Sequence, residues 1–294
     1  TREPQNVRQR FDGLRMELLA HKSSWRIGWL ATKPVLPKKG VFDDVPDHST
    51  TFAGGYLIMP NPLLHGGNIS FYSAGYWKKR ATYAHGSASE ARLTLGHRWF
   101  GASKAVDYNE EFIVQVGSFG HSDIRAWVIA TDTGYNLSRR RWHPRFALGL
   151  NIASGDRDRN DARLQTYNAL FNNSAYSDKA GLVGPANAIN LNPTARFSLG
   201  KNGARATLLI EWNSFWRTRL TDGVYLASGA LLRTGVNNTA RFVATQPTAQ
   251  FVYRFDSHFD LTSIYTHVFP GQFLKNTPPA KGLDYVTTYA TYRF

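Results

Sequence analysis

The chain contains no cysteine, which removes a disulfide framework, a thiolate metal site and a cysteine nucleophile together. It also lacks any apolar run near the ~18 consecutive residues that a membrane-spanning helix requires. Runs such as YLIM (56–59) and FIV (112–114) are only a few residues each. Gly-x-Ser-x-Gly, HExxH and paired histidines on a strand are missing, so no hydrolase motif is legible and no catalytic residue is expected. Gly120-His121-Ser122-Asp123 places Ser, His and Asp side by side, but a triad is made by proximity in space, not in sequence. Acidic residues are scarce: 21 Asp+Glu against 35 Lys+Arg leave a formal charge of +14, a field that draws anions. Nucleic acid is the usual partner of such a charge. Here the basic residues are scattered through alternating segments rather than gathered into a block or helical face, so nucleic acid is not expected.

What the chain does have is aromatic residues, 14% in all, and apolar/polar alternation from end to end. Period-two segments separated by turn signals read as about thirteen strands. They fall at 11–20, 24–33, 51–59, 68–78, 91–100, 107–119, 123–135, 143–154, 193–200, 204–216, 240–254, 260–268 and 283–294. Their connections alternate in length. FDSHFD (255–260), GKNG (200–203) and NLSRRRW (136–142) are short, whereas 275–282, 217–239 and 155–192 are long, with GHS (120–122) the one short exception. Short turns at one end and long loops at the other are the pattern of an outer-membrane barrel, and a soluble sandwich has no reason to keep it. A transmembrane antiparallel up-and-down β-barrel, one domain over 1–294, is therefore expected, with an extracellular loop at about 155–192.

The faces agree. In ARLTLGHRWF (91–100), Leu93, Leu95 and Trp99 oppose Arg92, Thr94, Gly96 and Arg98. In RFALGLNI (145–152), Phe146, Leu148, Leu150 and Ile152 oppose Arg145, Gly149 and Asn151. A face of Gly, Arg, Asn and Glu reads as a wet lumen rather than a packed core. Tyr76, Trp77, Trp99, Phe100, Tyr108, Trp142, Trp216, Tyr253 and Tyr292 lie near strand ends, as aromatic girdles would. Such a chain belongs in the bacterial outer membrane, among lipid and lipopolysaccharide, and reaches it behind an export signal that the opening residues do not show.

The last strand, LDYVTTYATYRF (283–294), sets Val286, Thr288, Ala290, Tyr292 and Phe294 on one face. A terminal Phe after alternating apolar positions resembles the signal that outer-membrane proteins show to the barrel assembly machinery. NVRQRFDGLR (6–15), GVFDDVPDHS (40–49), SDIRAWVIATDTGY (122–135), IASGDRDRNDARLQTYNALF (152–171), LVGPANAINLNP (182–193), DGVYLASGALLR (222–233) and ARFVATQP (240–247) resemble the alginate-export family of outer-membrane proteins. That resemblance implies a monomeric barrel of about eighteen strands that passes acidic polysaccharide through an arginine-lined pore and docks to a periplasmic export partner. Barrels keep an even strand number and periplasmic termini. Counting back from Phe294 then puts Thr1–Arg10 outside the cell and makes this the C-terminal part of a longer barrel, with about five further strands by the resemblance.

A pore works by charge placed in a constriction. Strand parity assigns Arg15, Arg26, Arg92, Arg98, Arg125, Arg145, Arg217 and Arg293 to the lumen. A guanidinium binds both oxygens of a carboxylate and stays charged at any working pH. Glu17, Glu111 and Glu211 share these faces and moderate how tightly a polyanion is held. The solute is then an anionic polysaccharide or a small anion. A structural or ligand-binding barrel without transport is the main alternative, and an outer-membrane lipase or protease a weaker one. GDRDRND (155–161) spaces Asp156, Asp158 and Asn160 like an EF-hand. Asp161 where Gly belongs and Tyr167 where the bidentate Glu belongs break the motif, and neither metal nor cofactor is expected.

Overall fold

A strand whose residues alternate in polarity presents one wet and one apolar face, and this chain repeats that solution throughout. The computed structural model describes residues 10–20, 23–62, 66–171, 179–200 and 205–293. Its strands are β1 (Phe11–Ala20), β2 (Trp25–Leu36), β3 (Val45–Pro46), β4 (Thr50–Pro60), β5 (Gly67–Tyr83), β6 (Gly86–Ser103), β7 (Val106–Phe119), β8 (Ser122–Asn136) and β9 (Arg145–Ala153). They continue as β10 (Arg163–Leu164), β11 (Ala188–Leu199), β12 (Ala206–Arg217), β13 (Val224–Tyr225), β14 (Leu231–Arg233), β15 (Phe242–Arg254), β16 (Phe259–Pro270) and β17 (Leu283–Tyr292), with one single-turn helix, α1 (Gln272–Lys275).

The sheet is an antiparallel meander in the order β1-β2-β4-β5-β6-β7-β8-β9-β11-β12-β15-β16-β17, with β3 added to β2 and β10 added in parallel to β8. Each segment read as a strand is one strand of this path. β13 and β14 make a separate hairpin. β1 and β17 are the two ends of the order and do not pair with each other among the described residues. Phe294 and Thr1–Gln9 fall outside the described residues, as does most of the GKNG turn.

At one end the connections are brief: 61–66, 104–105, 137–144, 200–205 and 255–258. At the other, 37–49, 154–187, 218–241 and 271–282 are long. Two tight turns interrupt that end rather than one: 84–85 as well as 120–121. β5 and β6 run to 17 and 18 residues, well past the ~9–11 that cross a bilayer. Residues 79–90, outside both strands in the sequence reading, therefore continue the two strands as a paired ribbon. The longest loop also ends sooner than expected, because β11 begins at Ala188.

The polarity of the sheet is inverted relative to a soluble fold. Trp29, Leu93, Leu95, Trp99, Phe146 and Leu148 are exposed, whereas Arg92, Thr94, Gln115, Asn151, Asn190 and Gln246 are buried. Around Arg92 and Gln115 that burial comes from residues 164–171, which fold back over the polar face. β10 hydrogen-bonds along β8 at Asp123–Ile124, and Leu164 and Tyr167 are buried against the wall. Two aromatics assigned to girdles belong to this inner face. Tyr76 pairs with Arg92 and is buried, and Phe100 lies under the Arg98 guanidinium at 4.4 Å. Their positions near strand ends gave no parity, and parity decides the face.

Candidate functional site

The inner face is built from ladders in which each directly paired residue points the same way. One ladder runs Tyr56, Tyr72, Gly96, Ile113, Val128 and Ala153 across five strand pairings. Gly28 and Gly96 each lie beneath a tyrosine ring, where a Cβ would meet ring carbons of Tyr56 and Tyr72 at 2.3 Å. Only glycine lets those rings lie flat on the wall.

Residues 154–171 close over part of this wall and consume one of the expected pore charges. Arg92 donates to Glu90 at 2.5 Å, Gln115 at 2.8 Å and the Thr166 carbonyl at 3.2 Å. Gln115 in turn donates to the Asn168 carbonyl at 2.8 Å and accepts its N–H at 2.9 Å. Phe171 anchors the far side of the loop, meeting the rings of Phe11, Phe52 and Tyr76 edge-on at 4.8, 5.3 and 6.2 Å. Arg92 and Glu90 have fully buried side chains, so they tie loop to wall and present no charge to solvent.

Between the loop and the wall remains a cavity of about 370 Å³. Arg98, Glu111, Tyr56 and Tyr72 line it. Arg98 is held by Asn109, and the Tyr72 hydroxyl donates to Glu111 at 2.6 Å. A planar cation, a carboxylate and two flat tyrosine rings face one space, the components that contact both the charge and the face of a cyclic anion.

The remaining candidates separate into four situations. Arg15, Glu17 and Arg26 cluster with Tyr56 on the inner face near β1, with ion pairs at 3.1 and 3.3 Å and the arginine side chains 65% and 54% exposed. Toward the tight-turn end, Arg145 bridges Asp107 at 2.5 Å and Asp132 at 2.6 Å, and Arg293 pairs with Asp260 at 2.6 Å. Glu211 lies 3.7 Å from Lys179 of the long loop. Arg217 is fully buried and donates to the carbonyls of Leu220, Asp222, Asn238 and Ala240 while its guanidinium covers Phe273 at 4.3 Å. It ties loop 218–241 to α1.

Arg125 corrects the reading. It pairs with the exposed Val116 and shares the outer face with Trp127 and Ile129, while Ile124, Ala126, Val128 and Ala130 are buried on the inner side. The loop covers this stretch of wall, so its inner face is apolar as well and alternation loses its contrast. Arg125 sits near the end of β8, 3.8 Å from Asp123, where a long side chain can reach the interface.

Sequence reasoning missed Arg196 and Arg254. Arg196 pairs directly with Arg145, and Arg254 lies 3.4 Å from Asp260. Both obey the parity that assigned the others, since Arg145 and Arg293 mark the same inner rows. In GDRDRND, Asp156 turns inward and Asp158 accepts the Asn160 N–H at 3.0 Å. Among the described residues no group of three acidic or histidine side chains gathers for a metal.

The profile of a family described as "Alginate export" matches residues 1–287. No curated protein matches the sequence. Among solved structures, the transport unit of the autotransporter AIDA-I from Escherichia coli is similar over 96% of this chain and 88% of its own, at 12% identity and a TM-score of 0.28.

Proposed function

This chain belongs to the alginate-export family, and from that premise we propose that it is an outer-membrane channel that passes anionic solutes, acidic polysaccharide or its fragments, along an arginine-bearing inner wall. One observation carries the reading: apolar side chains are exposed on one face while Arg15, Arg26, Arg98, Arg145 and Arg293 share the other. A lipid-facing arginine costs about 2–4 kcal/mol at the bilayer midplane, so that distribution suits a barrel with a wet, basic interior. The tight-turn end then faces the periplasm and the long connections face outward.

On this reading an anion meets arginines whose carboxylate partners compete for them. Glu17 holds Arg15 and Arg26, Asp107 and Asp132 hold Arg145, and Asp260 holds Arg293. Each guanidinium is thereby kept extended and only partly neutralised, so a passing carboxylate exchanges with one already bound. Such exchange favours conduction over trapping. The loop-covered cavity at Arg98 and Glu111 is the narrow step of the pathway.

Reversal potentials across a salt gradient in planar bilayers test the proposal. The channel is expected to prefer anions, with the preference fading as the Debye length falls from ~10 Å at 0.1 M to ~3 Å at 1 M salt. Changing Arg15, Arg26 and Arg98 to Ser should weaken it. Cation preference in the unmodified channel defeats the proposal.

A further inference from the structure

The sequence sets His121 and Asp123 beside Ser122, but the fold gives that serine other partners. Ser122 opens β8, His85 lies in the turn between β5 and β6, and Asp156 lies near the start of the long loop. Ser122 Oγ is 3.1 Å from His85 Nε2, and His85 Nδ1 is 2.7 Å from Asp156 Oδ2. The carboxylate accepts the Nδ1 proton, which selects the tautomer whose Nε2 lone pair faces the serine hydroxyl. Exposure is graded in the order such a site needs: Ser122 is half-buried, and the His85 and Asp156 side chains are 8% and 1% exposed.

Each member is also fixed by contacts outside the trio. The Tyr225 hydroxyl accepts the Ala84 N–H at 3.0 Å, holding the turn that carries His85. The Phe119 ring meets the imidazole edge-on at 6.0 Å. The Asp156 N–H donates to Asp222 at 2.8 Å, and the Thr221 hydroxyl donates to the Asp156 carbonyl at 2.6 Å. A half-buried hydroxyl that merely filled space would not require two buried groups aligned behind it.

We propose that Ser122, His85 and Asp156 form a nucleophilic serine site at the loop-bearing mouth, distinct from the charged inner wall, which accepts small acyl groups from esters. Ser122 Oγ attacks the acyl carbonyl carbon as its proton passes to His85 Nε2. The bond to the alcohol oxygen breaks, and the leaving alcohol takes the proton from His85. Water, deprotonated by the same nitrogen, then attacks the seryl ester, releases the carboxylic acid and restores the hydroxyl. Asp156 is a positioning residue. The N–H groups of Gly120 and Asp123 are already bonded to the Ser89 and Ala162 carbonyls at 2.8 and 2.9 Å, so neither is free to receive the oxyanion. The site therefore suits activated esters, and its signature is covalent capture rather than rapid turnover.

The test is to treat the purified full chain in detergent with a fluorophosphonate probe and map the adduct by peptide mass spectrometry. The expected result is one adduct at Ser122, none in Ser122→Ala, and labelling slowed about 100-fold or more in His85→Gln, matching the loss of a general base. Heat-modifiable gel mobility verifies that each variant is folded. Asp156→Asn, expected to slow labelling at least about tenfold, replaces His85→Gln if that variant does not fold. An unlabelled Ser122 in the folded wild type overturns the proposal, as does labelling at an unchanged rate in the folded histidine or aspartate variant.

Discussion

Two arginines on the same inner face, Arg92 and Arg15, have opposite surroundings. Arg92 is sealed under residues 164–171, with Glu90, Gln115 and the Thr166 carbonyl sharing its guanidinium. Arg15 stands on β1 in the open, 65% exposed, with Glu17 its ion-pair partner at 3.1 Å. Strand parity treats the two alike because it reports only which side a residue faces. What lies above that side is a long-range matter, and it turns one cation into a structural tie and leaves the other in water.

The largest expected effect comes from breaking the sealed site. Arg92→Leu leaves Glu90 buried without its cation, which should cost about 3–5 kcal/mol, read as a drop in the guanidinium midpoint of unfolding. Arg15→Leu, facing water, should leave that midpoint nearly where it was. Equal losses at the two positions would erase the distinction. A Glu90→Gln, Arg92→Met double variant should recover most of the loss, since neither residue is then a buried unpaired charge.

A smaller effect is expected where the loop grips the wall. Phe171 meets three rings edge-on, and Phe171→Ala should cost about 1–3 kcal/mol, less than a full core truncation because the side chain is only partly buried. Single-channel conductance should rise as the loop edge loosens over the cavity. Unchanged conductance together with unchanged stability would show that the ring contacts do not hold the loop.

Smaller still in energy, but directional, is the response of selectivity. Arg26→Ser should shift the reversal potential toward cations with stability altered by under about 1 kcal/mol, whereas Arg125→Ser, on the outer face, should leave the reversal potential where it was. A shift at Arg125 matching that at Arg26 would mean the faces are assigned wrongly.

These contrasts show what could be read from the sequence. The strands were legible because neighbour-to-neighbour alternation is local and a meander needs no distant information. β5 and β6 ran longer than read because KKRATYAHGSASE carries turn-forming glycine and small residues through a stretch that still pairs. Arg125 was misplaced because Ile124, Ala126, Val128 and Ala130 are as apolar as the outer face they oppose. They are apolar because a loop some thirty residues further along the chain covers them, and no window of the sequence contains both. The junction of Ser122, His85 and Asp156 was hidden for the same reason: its members come from two hairpin turns and a loop.

Acidity should separate two sites among the long connections, and the sign differs between them. Burial raises the carboxyl of Asp222 above its usual 3.8, in spite of hydrogen bonds from the Asp156 N–H, Tyr225, Thr166 and the Gly223 N–H. Burial raises Asp156 as well, opposed by the hydrogen bond from His85. The folded junction between 154–187 and 218–241 thus binds protons more readily than the unfolded chain. Its stability should grow as pH falls from neutral through the raised values and level off near the ordinary carboxylate range. Asp47, between β3 and β4, behaves in the opposite sense. Partial burial pushes it up, but hydrogen bonds from Ser49 and Thr50 outweigh that and leave it below 3.8. Its contribution is present above the ordinary value and is lost as pH falls through the lowered one. Hydrogen exchange corrected for intrinsic rates can follow both connections. Between about pH 7 and about pH 4.5, protection should rise around residues 156–166 and 222–225 and hold steady around 47–50, with loss at 47–50 only in stronger acid. Asp222→Asn should flatten the first response and leave the second intact. A junction that loosens on mild acidification, or whose response survives that substitution, would show that the buried carboxylates are not what couples these loops to pH.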